Sequence, residues 1–269
     1  MKVAGHNIEI SKPDKPMYPQ SGITKEKVIE YYIKIAPKML PYLENRPLTM
    51  QRYPHGIAQE GFYQKDVDGN LPGWVKTVKV PLVKGGSIDM VVAEDEATLA
   101  YLTHLYTITI HTSLSRVGSL KYPDYIVFDL DPSDDDFKKV VEVADILHRV
   151  LLHNSYKPWL MTTGSRGLHI IAPVKNKIDF EKSRHIAHQV ALKAQEISPE
   201  LITLDIRKEH RGDKVYIDIL RNAYGQTHIA PFSLRAIEGA PIAMPVSWHE
   251  LHDSTLTPTK YKLFDFIDI

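Results

Sequence analysis

Cysteine is absent from the 269 residues. That removes disulfides, thiolate zinc sites and cysteine nucleophiles together, and it agrees with a reducing compartment. No stretch reaches the roughly 18 consecutive apolar residues of a membrane-spanning helix, and the opening MKVAGHNIEI lacks the apolar core of a signal peptide. A charge excess is also missing: 33 Lys and Arg meet 33 Asp and Glu, so the chain carries no global attraction for nucleic acid and any basic surface must be local. There is no low-complexity linker and no repeat with a period of roughly 20–50 residues. The expectation is a soluble intracellular protein without a membrane partner, long enough to bury a sizeable core as one large domain or two small ones.

What is present divides into two styles of sequence. Residues 1 to 20 carry Pro13, Pro16 and Pro19 among lysines and read as an irregular arm. TKEKVIEYYIKIAPKMLPYL reads as a helix capped by Thr24, with Val28, Tyr31, Tyr32, Ile35 and Met39 on one face, which Pro37 kinks or interrupts. Short strand-like runs follow from Thr49 to Val92, then a helix in DEATLAYLTHLYT and the β-branched strand ITIHTSLS. The second half is more regular. YIVFDLDP is a strand, and a helix from Phe137 to Leu152 places Phe137, Val140, Val141, Ala144, Leu147 and Leu151 on one face. PWLMTTGSRGLHIIAPV is strand, turn, strand; FEKSRHIAHQVALKAQEI is a helix; KVYIDIL is a strand. The pattern predicts one compact α+β domain with two lobes.

The chemistry concentrates in three strand-associated motifs. Asp129 and Asp131 end the run YIVFDLD and, two apart on a strand, share a face, where their charges repel unless a cation intervenes. Asp218 sits in VYIDILRN on a strand with no lysine opposite it in sequence, and an ionised group there needs a partner. Three converging carboxylates would suit Mg²⁺ or Mn²⁺, and two such ions about 4 Å apart drive in-line phosphoryl displacement. The turn TTGSRGLHI offers an anion Gly164 and Gly167 for backbone exposure, the Ser165 hydroxyl, the Arg166 guanidinium and His169. Each motif has a plainer reading. Asp-x-Asp pairs form turns, Asp134 to Asp136 cap the next helix, and a glycine hairpin with an exposed arginine is ordinary. Their conjunction favours the chemical reading.

The order FDLDP, TGSRGLHI and IDILRNAYGQTHIAPFSLRA, with RPLTMQRYPHG and GFYQKD before it and GAPIAMPVSW after, resembles the polymerase domain of bacterial ligase D. The resemblance spans roughly residues 8 to 255. It implies the archaeo-eukaryotic primase superfamily: an α+β, two-lobed single domain with mixed and antiparallel central sheets flanked by helices. Residues 1–120 would be a DNA-binding lobe and 121–269 the metal- and nucleotide-binding portion. It further implies a template-dependent nucleotidyltransferase of non-homologous end joining, using two Mn²⁺ or Mg²⁺ ions and favouring ribonucleotides. Asp129, Asp131 and Asp218 match the family's metal carboxylates. Thr163, Ser165, Arg166, Gly167 and His169 match its triphosphate turn, with Arg where Lys is common. Arg221 and Arg235 match positions near the nucleotide phosphates, and His111 a histidine near the primer terminus. Lys15 and Lys25 match lysines that bind a downstream 5′-phosphate. Phe62 and Tyr63 match aromatics that stack template bases, and Arg52 and Lys65 are expected at the DNA backbone. The partners implied are gapped or 3′-overhanging DNA bearing a 5′-phosphate, nucleoside triphosphates, and a separate Ku-like end-binding protein and DNA ligase, in a prokaryotic cytoplasm at the nucleoid. No ligase or phosphoesterase module is expected within these residues. Two rivals stand beside this: a metal-dependent nuclease or phosphoesterase, and a catalytically silent end-binding module.

Overall fold

A computed structural model describes residues 1–67, 69–174 and 177–268. Contacts divide the chain into two compact units, one of residues 1–118, 227–243 and 261–269, the other of residues 119–226 and 244–260.

In the first unit the N-terminal arm is more ordered than its prolines suggest. It forms two small hairpins, β1 (Lys2–Val3) with β2 (His6–Asn7) and β3 (Pro16–Tyr18) with β4 (Ile23–Thr24). Helix α1 (Lys25–Leu43) starts where the Thr24 side chain accepts from the Lys27 N–H, and it is not interrupted: Pro37 and Pro41 both lie inside it. A proline removes one rung of the helix and crowds the preceding turn. The helix continues because its buried face is held from outside, with the Tyr31 hydroxyl donating to the Phe232 carbonyl at 2.7 Å and the Tyr32 hydroxyl to that of Ile108. The strands β5 (Leu48–Arg52), β6 (Phe62–Gln64), β7 (Thr77–Pro81) and β8 (Ser87–Val91) follow. Helix α2 (Glu96–His104), capped by Asp95, packs on α1 and leads into β9 (Thr107–Ser113).

The second unit alternates strand and helix: β10 (Tyr125–Pro132), α3 (Phe137–His153), β11 (Trp159–Thr162), β12 (Leu168–Pro173), α4 (Phe180–Ile197), β13 (Ile202–Thr203) and β14 (Val215–Asp218). The last two strands are β15 (Thr227–Ile229) and β16 (Pro245–Val246). Strand β15 joins the first unit's sheet in the order β15-β9-β5-β6, all antiparallel. The second unit's sheet runs β13-β14-β10-β12-β11-β16, antiparallel except for the pair β13 and β14. Helices α3 and α4 cover one face of it, against the buried Ile126, Phe128 and Leu130. On α3 the core face is Val140, Val143, Ala144, Ile146, Leu147, Val150 and Leu151, while Phe137 and Val141 stay half-buried at its margin. This is the mixed α+β architecture expected from the sequence. Among the described residues no helix is long and apolar enough to cross a membrane.

Candidate active site

Strand β10 lies in the middle of the second unit's sheet, and antiparallel pairing aligns its Asp129 with Asp218 on β14 and with His169 on β12. Cross-strand partners point to the same face, so Asp218, Asp129 and His169 form a row on the face opposite α3 and α4. The His169 Nε2 lies 3.4 Å from Asp129 Oδ2. The next row on that face pairs Asp131 with Tyr216. Burial and the Asp129 charge push the Asp218 carboxyl up, against a hydrogen bond from the Leu220 N–H at 2.7 Å and the charges of Arg221 and Arg211. Burial and the Asp218 charge likewise raise the Tyr216 hydroxyl to about 12.

Asp131 is engaged by two arginines. Arg166 Nη2 donates to its Oδ1 at 2.8 Å, and Arg211 Nη1 stands 3.5 Å from its Oδ2. Of the three carboxylates expected at a metal, Asp129 and Asp218 are cross-strand partners, and Asp131, two residues along the same face, is paired with guanidiniums. Among the described residues no group of three His, Cys, Asp or Glu side chains is gathered closely enough to hold a metal. The pair itself suits a hard divalent cation. Two carboxylates in register, one of them driven toward protonation by burial and by the other's charge, present the negative field and oxygen donors that such an ion satisfies.

The turn between β11 and β12 is built around Thr163. Its hydroxyl accepts from the N–H groups of Ser165 (3.3 Å) and Gly167 (3.2 Å) and lies 3.1 Å from the Gly167 carbonyl as donor. Those two N–H groups are thus turned inward rather than offered to an anion, and what faces outward is the half-buried Ser165 and the exposed Arg166. Gly164 takes a φ of +66°, the left-handed region that a glycine adopts cheaply. Gly167 is required for another reason: an added Cβ would fall 1.8 Å from the Leu130 carbonyl oxygen. The turn therefore presses on β10 between its two aspartates.

Arg211 escaped the sequence reading. In KEHRGDK it looks like part of a solvated charge run, yet it is buried, donates from Nε to the Asp205 carbonyl (3.0 Å) and from Nη2 to that of Ile206 (2.7 Å), and stacks on Tyr216 at 3.8 Å. Its anchors lie five and six residues away in an irregular loop, a pattern with no periodic signature. Arg221 is exposed just beyond β14.

In the first unit, His111 on β9 aligns with Thr49 and Ile229, and its ring lies 5.6 Å from that of Tyr63. Phe62 and Tyr63 are adjacent on β6 and so point to opposite faces, both exposed. Tyr63 shares the face of His111, whereas Phe62 lies on the other, 5.6 Å from the Arg52 guanidinium. Arg52 is itself engaged by the Leu105 carbonyl (2.7 Å) and the Gln64 side chain (2.6 Å), with Lys65 just past the strand. Arg235 is half-buried, its N–H donating to the Pro241 carbonyl at 2.8 Å and its carbonyl accepting from the Tyr18 hydroxyl.

Lys15 and Lys25 do meet. Both ammonium groups lie over the Tyr106 ring, at 5.2 and 4.3 Å. Lys25 is fully buried and donates to the Ser11 carbonyl at 2.7 Å; burial, then the charges of Lys15 and Lys12, bring it down to about 8. Among the described residues, none of these three lysines has a carboxylate partner. The helix start adds no free donors, because the N–H groups of Lys25, Glu26 and Lys27 go to Lys15, Pro13 and Thr24. Buried positive charge without a counter-charge is expensive, and an anionic ligand is the group that relieves it.

An acidic row on a mixed sheet, with a cationic glycine turn pressed against it, is a site suited to phosphoryl chemistry on an anionic substrate. The chain belongs to the LigD primase-polymerase domain family, which it matches over residues 24–267. It is 32% identical over 263 residues to the bifunctional non-homologous end joining protein LigD of Bacillus subtilis, covering 97% of this chain and 42% of that protein. It is 29% identical over 265 residues to the multifunctional LigD of Mycolicibacterium smegmatis, covering 97% and 35%. The chain thus spans well under half the length of these relatives. Among solved structures, the polymerase domain of Mycobacterium tuberculosis ligase D in complex with DNA superposes with a TM-score of 0.90 at 28% identity, covering 97% of this chain and 93% of that one.

Proposed function

We propose that this protein extends primer 3′ ends at gaps and breaks in DNA, copying a template strand with nucleoside triphosphates, in prokaryotic non-homologous end joining. The observation that carries the reading is the row Asp218–Asp129–His169 with the turn of Arg166 pressed beside it. The first unit supplies the DNA-handling residues and the second the metal and nucleotide functions, with Arg221 serving the triphosphate. Asp129, Asp218 and Asp131 would hold the divalent metal, Mn²⁺ or Mg²⁺. When bound, such ions activate the attacking 3′-hydroxyl and neutralise the leaving pyrophosphate.

The chain's own groups do the positioning. Arg166 is exposed and held by a single carboxylate, so it can move from Asp131 to a phosphate oxygen, where its fork matches the anion. Ser165 adds a hydroxyl donor on the same turn, and His169 donates to a phosphate from beside Asp129. His111 orients the sugar end of the nucleotide or primer, and Tyr63, exposed on the same sheet face, offers a ring to a template base. Lys15 and Lys25 take the 5′-phosphate of the downstream strand. A Ku-like end-binding protein and a ligase complete the joining in the cytoplasm.

Primer extension on a gapped, 5′-phosphorylated template tests this, with ribo- and deoxyribonucleotides and with Mn²⁺ or Mg²⁺ supplied in turn. Template-directed extension, faster with ribonucleotides and with Mn²⁺, is expected. Strand cleavage in place of extension would replace the reading with that of a nuclease.

A further inference from the structure

His104 is the last residue of α2, half-buried, with Nδ1 3.4 Å from the Lys25 ammonium. An ammonium has no lone pair, so Lys25 is the donor and Nδ1 of a neutral imidazole the acceptor. The contact places a titratable ring against Lys25, on which the charges of Lys15 and Lys12 also act. The groups that face it are Lys25 from the start of α1, Glu9 from the arm and Tyr101 from α2; behind them Lys12 and Lys15 act on Lys25, Tyr106 lies under the ammonium groups of Lys15 and Lys25, and Arg52 interacts with both tyrosines. Lys12 holds a left-handed backbone at φ +50°, and its carbonyl accepts from the Lys15 N–H at 3.2 Å, so the two lysines belong to one tight turn.

We propose that His104 and Lys12 are further members of the 5′-phosphate site, and that binding a phosphorylated DNA end draws one proton from solvent onto His104. This rests on the reading of Lys15 and Lys25 as phosphate ligands. The proton enters at Nδ1 and ends that ring's acceptance from Lys25, so the lysine N–H is released to a phosphate oxygen while the imidazolium donates to the same dianion. Burial and the Lys25 charge hold His104 below its ordinary range, with Glu9 opposing them, which keeps the ring neutral around pH 7. A phosphate dianion reverses that balance, because it adds two negative charges next to a ring now surrounded by cations. The site would thus separate a 5′-phosphate from a 5′-hydroxyl partly by making its own fourth cation.

Calorimetry of the intact protein with gapped DNA tests this, using a 5′-phosphate or a 5′-hydroxyl downstream strand in two buffers of different ionisation enthalpy. At about pH 7.5 the terminal phosphate is already a dianion, so its own titration adds little. Net proton uptake is expected for the phosphorylated DNA beyond that for the hydroxyl version, and the ratio of the two affinities should grow as pH falls from about 8 to about 6.5, where the ring is neutral in the free protein and charged beside the phosphate, with Lys25, brought down to about 8, adding its own share. His104→Gln should flatten that profile at its acidic end, leaving the share of Lys25 near pH 8. Lys12→Ala should lower the affinity ratio at every pH, by about three- to tenfold for one lost phosphate contact. Equal proton uptake with both DNAs, or an unaltered pH profile in His104→Gln, overturns the proposal while leaving the phosphate site standing. Absence of any 5′-phosphate preference in the wild type at every pH overturns the site itself.

Discussion

Asp218 carries the sharpest conflict at the residue scale, being partly buried, in register with Asp129 and pushed up by both circumstances. A carboxyl whose folded-state pKa is raised binds its proton more tightly in the folded chain. It therefore favours folding at low pH, and this contribution is lost as pH rises through the ordinary carboxylate range into the raised one. Asp218→Asn keeps the volume and removes the charge, so primer extension should vanish while metal-free stability at pH 7 is unchanged or higher, by roughly 1–2 °C in Tm for a chain of this size. A variant that extends normally, or unfolds well below the wild type in a thermal scan, would contradict this role. Arg166→Ala has the opposite profile. It should raise the KM for nucleotide about tenfold or more by removing a charged phosphate contact, with little change in affinity for gapped DNA. Equal loss of DNA affinity would remove Arg166 from the triphosphate. Asp129, Asp131 and Arg166 were legible because strand alternation and a glycine turn are local signals. Arg211 was not, because its carbonyl anchors and Tyr216 are brought to it by loop geometry alone.

At the scale of elements, the turn of residues 163–167 and the strand β6 each transmit one constraint. Gly167 lets the turn lie on the Leu130 carbonyl, and Thr163 closes the turn from within. Gly167→Ala forces backbone against backbone, which should cost about 1–3 kcal/mol in denaturant unfolding and move Arg166 away from Asp131, so that extension falls more than stability does. Wild-type stability and activity in this variant would mean that the turn does not depend on its seat against β10. On β6, alternation splits Phe62 from Tyr63, which the sequence motif presents as one aromatic pair. Tyr63→Ala should weaken template binding by the value of one stacked base, about 1–3 kcal/mol, read from the fluorescence of a base analogue in the template. Phe62→Ala should act through Arg52 and leave that fluorescence response nearly intact. Helix α1 shows where local rules failed: Pro37 predicts a break, and the fixed partners of Tyr31 and Tyr32 override it. Strand β15 was illegible for a related reason, since it finds its partner β9 across more than a hundred residues and nothing in THI announces the pairing.

For the whole molecule, a net charge of zero means that affinity for DNA cannot come from a general positive field and must come from a few placed cations. Lys15 and Lys25 are two such cations, both over Tyr106, with Lys25 buried and unmatched by a carboxylate among the described residues. The lysines were legible as a motif, but their burial and mutual repulsion were not, since these depend on the fold of the arm against α1 and α2. Removing both relieves that repulsion but empties the space the buried Lys25 fills and leaves the Ser11 carbonyl without its donor, so the double variant Lys15→Ala, Lys25→Ala should fold with a Tm lowered by a few degrees. Its affinity for gapped DNA with a 5′-phosphate should drop, and the slope of log affinity against log salt should become shallower by about one unit per lysine. Affinity for the 5′-hydroxyl version should change far less, because a terminal phosphate presents charge that no internal diester carries. Titrating both DNAs with wild type and double variant across a range of salt decides the matter. Equal loss on the two DNAs would make the lysines general backbone contacts, and the preference for phosphorylated breaks would then have to arise elsewhere in the chain.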